Sequence, residues 1–151
     1  MKNQKNQNIN SIMQFNGYDV LKISYEKNLN KSQFREEYNV HPQFFKEVTQ
    51  KDEDSFSVIL GFKIESTDDN PFPFTTEIIM EGKFQFIGSV EKDDKIKLMN
   101  ENSLAILFPY LRSVVSMVTV SANETALLLP TFNIINFFKE HDNEDQKISQ
   151  N

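Results

Sequence analysis

One run near the middle of the chain limits the fold more than any other feature. Phe74, Thr76, Ile78, Met80, Gly82, Phe84 and Phe86 occupy every second position, with Thr75, Glu77, Ile79, Glu81, Lys83 and Gln85 between them. Strand side chains point alternately to opposite faces, so an alternation this long means a sheet with one face covered and one face wet. Gly82 interrupts the apolar row and is a candidate bulge or bend. Shorter copies of the pattern predict the neighbouring strands. Leu21, Ile23 and Tyr25 alternate with Lys22, Ser24 and Glu26; Phe56, Val58, Leu60, Phe62 and Ile64 alternate through residues 56–64. A weaker strand over residues 41–49 puts Phe44 and Val48 on one face with Lys46 between them. Residues 28–37 read as a loop or short helical turn, and residues 51–54 and 67–73 as turns.

From Ser103 the period changes. Leu104, Leu107, Phe108, Leu111, Val114, Val115 and Val118 follow helical spacing and form one stripe. Ala105, Ile106, Met117 and Val120 add apolar surface elsewhere on the circumference, along with Tyr110. A small sheet covers only one side of such a helix, so the remaining side predicts a subunit interface, with Ile106, Tyr110, Met117 and Val120 as its candidates. Pro109 lacks an N–H and crowds the carbonyl of Ala105, which predicts a kink or a restart. The segment invites comparison with a membrane span, but such a helix needs about 20 apolar residues and a central Arg is costly in lipid. Arg112, Ser113, Ser116 and Thr119 therefore favour a core helix and no direct membrane insertion. Residues 121–125 break the helix, residues 126–129 form an apolar stretch ended by Pro130, and residues 133–139 suggest a second, short helix. The organisation expected is a single domain over residues 12–139, flanked by a disordered arm over 1–11 and a disordered acidic tail over 140–151.

Charge and composition narrow the function classes. A formal net charge of −6 without any Lys/Arg-rich run argues against nucleic acid as partner. The chain has no cysteine, which excludes disulfides, thiolate chemistry and Cys-based metal sites. The polar N-terminus is no signal peptide, so the expected compartment is the cytoplasm. Only His41 and His141 are available for acid–base work, one beside a proline and one in the acidic tail. No Gly-rich phosphate loop exists and no Ser-His-Asp arrangement suggests itself, so no catalytic residue, metal site or cofactor is assigned. Glu77 and Glu81 share a strand face, which reads as a solvated surface rather than a catalytic pair. The stronger signal is 14 Phe against no Trp, many large rings for a chain of this size, which read equally as ordinary core or as a binding surface. Clustered apolar rings beyond the core mark a binding surface.

Ile106-Leu107-Phe108-Pro109-Tyr110-Leu111-Arg112, followed by Leu127-Leu128-Leu129-Pro130-Thr131-Phe132-Asn133, resembles the SecB family of export chaperones, with its I-L-F-P-Y-A-R helix start and later L-x-L-A-P-V-N segment. Ile23-Ser24-Tyr25-Glu26 resembles its first-strand I-S-F-E, and Glu77, Gly82 and Phe84 fall in register with its E-V-x-x-G-G-I-F strand. The resemblance implies an α+β fold: a four-stranded antiparallel sheet packed with one long helix and a shorter C-terminal helix. It implies a homotetramer, a dimer of dimers joined through the long helices, that holds unfolded or precursor polypeptides for export without ATP. By matched positions Phe44, Val48, Phe132 and Ile134 become client-binding candidates, with Lys46 where the family has Leu. Glu26 and Glu77 match the surface that docks the translocation motor SecA, but a family Asp is Lys22 here and a family Leu is Thr75. Those departures leave open a chaperone dedicated to one client, such as the antitoxin of a toxin–antitoxin pair, and a structural or scaffold protein with the same fold.

Overall fold

The computed structural model describes residues 12–129 and 133–148. The arm over residues 1–11 lies outside the described residues, and so does Phe132. Four strands form one antiparallel sheet: β1 (Met13–Lys27), β2 (Gln43–Gln50), β3 (Ser55–Ile64) and β4 (Phe74–Phe86), in the order β1-β4-β3-β2. The two edge strands are thus consecutive in sequence, and residues 28–42 cross one end of the sheet to join them. That crossing contains a 3₁₀ turn (Lys31–Gln33) capped by Asn30. Asn28 ties it to the β3–β4 turn, its side-chain N–H donating to Ser66 Oγ at 3.2 Å and the Phe72 carbonyl at 3.1 Å.

The long alternation forms β4 as the pattern demands, with buried and wetter positions exchanging along the strand. Helices cover the buried face. A short helix α1 (Lys92–Lys97) passes through a π turn (Leu98–Asn102) into α2 (Ser103–Ser121). Leu104, Leu107, Phe108, Leu111, Val114 and Val115 of α2 are buried with Phe56, Val58, Leu60, Phe62, Ile78, Met80 and Phe84 of β3 and β4. Phe56 and Phe84 stack with centroids 5.1 Å apart. Residues 92–121 are long and apolar enough to cross a membrane by length and composition alone, but the apolar stripe of this helix is the lid of the core.

Several local expectations change in the structure. Gly82 marks no bulge in β4; a β-carbon there would come within 2.9 Å of Phe84 and 3.2 Å of Leu107, so glycine permits the close approach of α2. The bulges lie opposite, in β1, between Phe15 and Tyr18 and between Val20 and Lys22, and Gly17 takes φ +97° at the first. Helix α2 runs through Pro109 without a restart. Ala105 and Pro109 are both exposed, so the carbonyl that loses its partner lies on the solvent side. The irregularity falls earlier, at the π turn, where Ser103 Oγ donates to the Met99 carbonyl at 2.7 Å and the Asn100 amide to the Ile96 carbonyl at 2.8 Å.

The last helix, α3 (Ile134–Ile148), extends well into the polar stretch for which the sequence suggested no order. Asn133 Oδ1 accepts from the N–H groups of Ile135 and Asn136 at 3.1 and 3.2 Å, a side-chain cap on the first turn. Glu, Gln and Lys are good helix formers, so a polar segment continues a helix once tertiary contacts have nucleated it.

Candidate functional site

Strand β2 is an edge strand, paired among the described residues with β3 alone. Phe44, Lys46 and Val48 are half-buried on the helix-covered face, while Phe45, Glu47 and Thr49 are exposed on the other. The Phe44 ring lies 5.6 Å from Phe62, 6.1 Å from Phe108 and 5.3 Å from Phe137 of α3, centroid to centroid. Lys46 Nζ sits 5.1 Å from the Phe138 ring centroid. Helix α3 therefore forms the second wall of a strip whose floor is the inner face of β2. Phe137 stacks on His141 at 4.1 Å, and Lys139 pairs with Glu101 of the π turn at 2.8 Å. The Glu101 carboxyl is held below the usual range by its hydrogen bond from Lys139, with Lys97 and Lys46 adding attraction.

The four client-binding candidates separate. Phe44 and Val48 share this half-buried strip, and Phe132 lies outside the described residues. Ile134 is 3% exposed and belongs to the core cluster at the start of α3. Its apolar side chain is what seats the start of α3. Phe137 and Phe138 stood out in the sequence only as part of the phenylalanine excess.

At the opposite edge, β1 and the outer side of α2 leave a second apolar surface. Of the interface candidates, Ile106 is half-buried, while Tyr110, Met117 and Val120 are 41%, 58% and 56% exposed. Tyr110 packs against β1, its ring 5.4 Å from Phe15 and 4.9 Å from Tyr18. Tyr18, Val20 and Ile23 of β1 are themselves exposed. Ile23, Tyr25, Val114, Met117 and Val118 line a concavity of about 500 Å³ between strand and helix. The sequence pointed to the helix half of this surface and missed Tyr18 and Val20, because the two bulges scramble the alternation of β1. Below it, Tyr25 donates to Glu124 at 3.0 Å and Lys27 pairs with Glu124 at 3.5 Å, latching the loop after α2 onto the end of β1. Burial, reinforced by the hydrogen bond to Glu124, pushes the Tyr25 hydroxyl up to about 12.

The outer face of the sheet carries the two motor-docking candidates. Glu77 pairs with Lys22, and Glu26 is exposed opposite Thr75. The same face holds Lys83–Asp19 at 2.6 Å and Lys63–Glu65 at 3.5 Å, so some of its carboxylates are matched by lysines. Glu26 also borders a polar concavity of about 500 Å³ with Lys27, Asn28, Asp68 and Thr75. Among the described residues no group of three His, Asp or Glu side chains is arranged to hold a metal ion.

This architecture matches a known one. The fold superposes on a SecB-like chaperone of Mycobacterium tuberculosis, solved in complex with a ChAD peptide from the HigA1 antitoxin, with a TM-score of 0.64. That match covers 82% of this chain and 93% of the other at 14% sequence identity. The profile of the family described as preprotein translocase subunit SecB matches residues 4–145, and the chain belongs to that family. Among curated relatives, the protein-export protein SecB of Bartonella bacilliformis is 23% identical over 95 residues, 63% of this chain and 59% of that protein. An uncharacterized protein of Methanocaldococcus jannaschii is 39% identical over 64 residues, 38% of this chain and 41% of its own length. The chain thus spans about half the length of the curated relatives it matches.

Proposed function

We propose that this protein is an ATP-independent, non-enzymatic holdase that binds unfolded or precursor polypeptides in the cytoplasm. The observation that carries the reading is the half-buried strip of Phe44 and Val48 along β2, an edge strand of the sheet. An extended, apolar client relieves the wetted part of these side chains, at about 25 cal/mol per Å² removed from water. It can also add as a further strand along the β2 edge of the sheet. Membership of the SecB family and the fold of the mycobacterial chaperone support the same reading. The test is suppression of aggregation of an unfolded client at stoichiometric ratio without nucleotide. Phe44→Asp should abolish the protection, with urea unfolding measuring separately how far the lost packing against Phe62, Phe108 and Phe137 weakens the fold. If the wild type gives no protection and Phe44→Asp changes nothing, the chain is a scaffold protein instead.

A second reading, a chaperone dedicated to one client such as an antitoxin, is favoured by the ion pair between Lys22 and Glu77. The pair neutralises one of the two positions offered for SecA. Binding of purified SecA to the wild type, weakened by Glu77→Lys, would favour the export role; no binding would favour the dedicated client. In either role the exposed Met117 and Val120, with Ile23 across the concavity, are the apolar surface through which we expect a homotetramer to assemble. Light scattering that finds a stable monomer refutes that assembly.

A further inference from the structure

An apolar client strip has no need of the lysine at its centre. Lys46 lies between Phe44 and Val48 on the same face of β2, half-buried, with its ammonium against the Phe138 ring. Burying part of a charged side chain among rings costs free energy unless a counter-charge meets it. Among the described residues neither Lys46 nor Lys97 has an acidic partner at ion-pair distance. Glu101, the carboxylate both lysines attract, is already taken by Lys139 at 2.8 Å. Three lysines thus share one carboxylate where β2, the π turn and α3 meet, in a chain whose net charge is −6.

An extended segment lying along β2 presents alternate side chains to this face. Two apolar residues four positions apart meet Phe44 and Val48, and the residue midway between them meets Lys46. We propose that Lys46 makes this strip select extended apolar segments that carry an acidic residue between their two apolar anchors. The inference rests on the holdase reading and narrows its client class. A basic residue at the middle position meets like charge, while an acidic one supplies a counter-charge that no described residue gives Lys46 at ion-pair distance. The competing explanation is that the Lys46 stem merely covers apolar surface and its charge is incidental.

Fluorescence anisotropy with two labelled peptides separates these. One carries a Phe-Ser-Glu-Ser-Leu core and the other Phe-Ser-Lys-Ser-Leu in identical flanks, each titrated with the full chain. For a partly desolvated charge pair the wild type should favour the Glu peptide by about tenfold, and the ratio should shrink as salt is raised. Lys46→Leu should bind both peptides alike, and Lys46→Glu should invert the preference. A ratio that is the same in all three proteins, or a wild type that prefers the Lys peptide, overturns the proposal and leaves the holdase reading standing. If neither peptide binds the wild type, while aggregation assays also show no protection, both readings fail together.

Discussion

Thr119 is fully buried near the end of α2 and carries a single atom on which the following loop depends. Its hydroxyl lies 3.1 and 3.0 Å from the carbonyls of Val115 and Ser116 and accepts the N–H of Leu127 at 2.9 Å. Thr119→Val keeps the branched shape and removes only that oxygen. The Val115 and Ser116 carbonyls lie within the α-helix and tolerate the loss. The Leu127 N–H has no replacement in an apolar setting, and a part-buried donor left unmade costs about 1–3 kcal/mol. Valine recovers a few tenths of a kcal/mol by avoiding the desolvation of a hydroxyl, so the net expectation is about 1.5 kcal/mol. For a chain of this length that corresponds to a fall in Tm of about 3–6 °C. Urea unfolding at fixed protomer concentration measures it, with Thr119→Ser as the variant that keeps the hydroxyl. Hydrogen exchange at the Leu127 amide should accelerate in the valine variant alone. A valine variant as stable as the wild type, with the Leu127 amide still protected, would refute the argument that this hydroxyl anchors the segment leading to α3.

The Tyr25 phenol should titrate late. Its hydroxyl is pushed up to about 12, against about 10 for an ordinary tyrosine, so its stabilising contribution is complete below pH 10 and is lost as pH rises through about 12. Ultraviolet titration should resolve one late phenolate, and Glu124→Gln should bring it earlier. Glu101 shifts the other way: its lowered carboxyl stabilises above the unfolded-state value of about 4.3 and the benefit disappears as pH falls through the folded value. Carboxyl NMR shifts should place Glu101 below the ordinary range in the wild type and nearer to it in Lys139→Ala.

What the sequence showed and what it hid follow from one distinction. The alternation of β4 and the stripe of α2 were legible because both elements bury one continuous face, and burial writes its period directly into the residues. Strand β1 was legible only over Leu21, Ile23 and Tyr25. Its first half carries two bulges and a left-handed Gly17, so its apolar residues do not keep a period of two. The π turn was invisible because polar Asn100 and Ser103 create it through side-chain bonds to nearby carbonyls. Phe44 and Val48 could be placed on one face of a strand from their spacing. That α3 would wall that face, and that Ile134 would be buried in doing so, depends on long-range packing that no local pattern encodes.

The sheet order separates the two surfaces that give the protein its proposed role. β1 and β2 are opposite edges with β4 and β3 between them, so the face carrying Ile23 and Met117 lies across the sheet from the strip of Phe44 and Val48. Subunits joined through β1 and α2 would therefore leave every β2 strip open, and each protomer would keep its own groove. Met117→Glu tests this separation. Met117 is 58% exposed in the protomer, so the substitution should change folding stability by no more than about 0.5 kcal/mol. In a two-fold interface the charge appears twice against apolar neighbours, so assembly should be strongly weakened. Light scattering should show the smaller species, while peptide affinity per protomer should stay within about twofold of the wild type, an effect below about 0.5 kcal/mol. If affinity falls together with assembly, the groove is completed by a neighbouring subunit, and a client surface confined to the β2 edge of one chain is wrong.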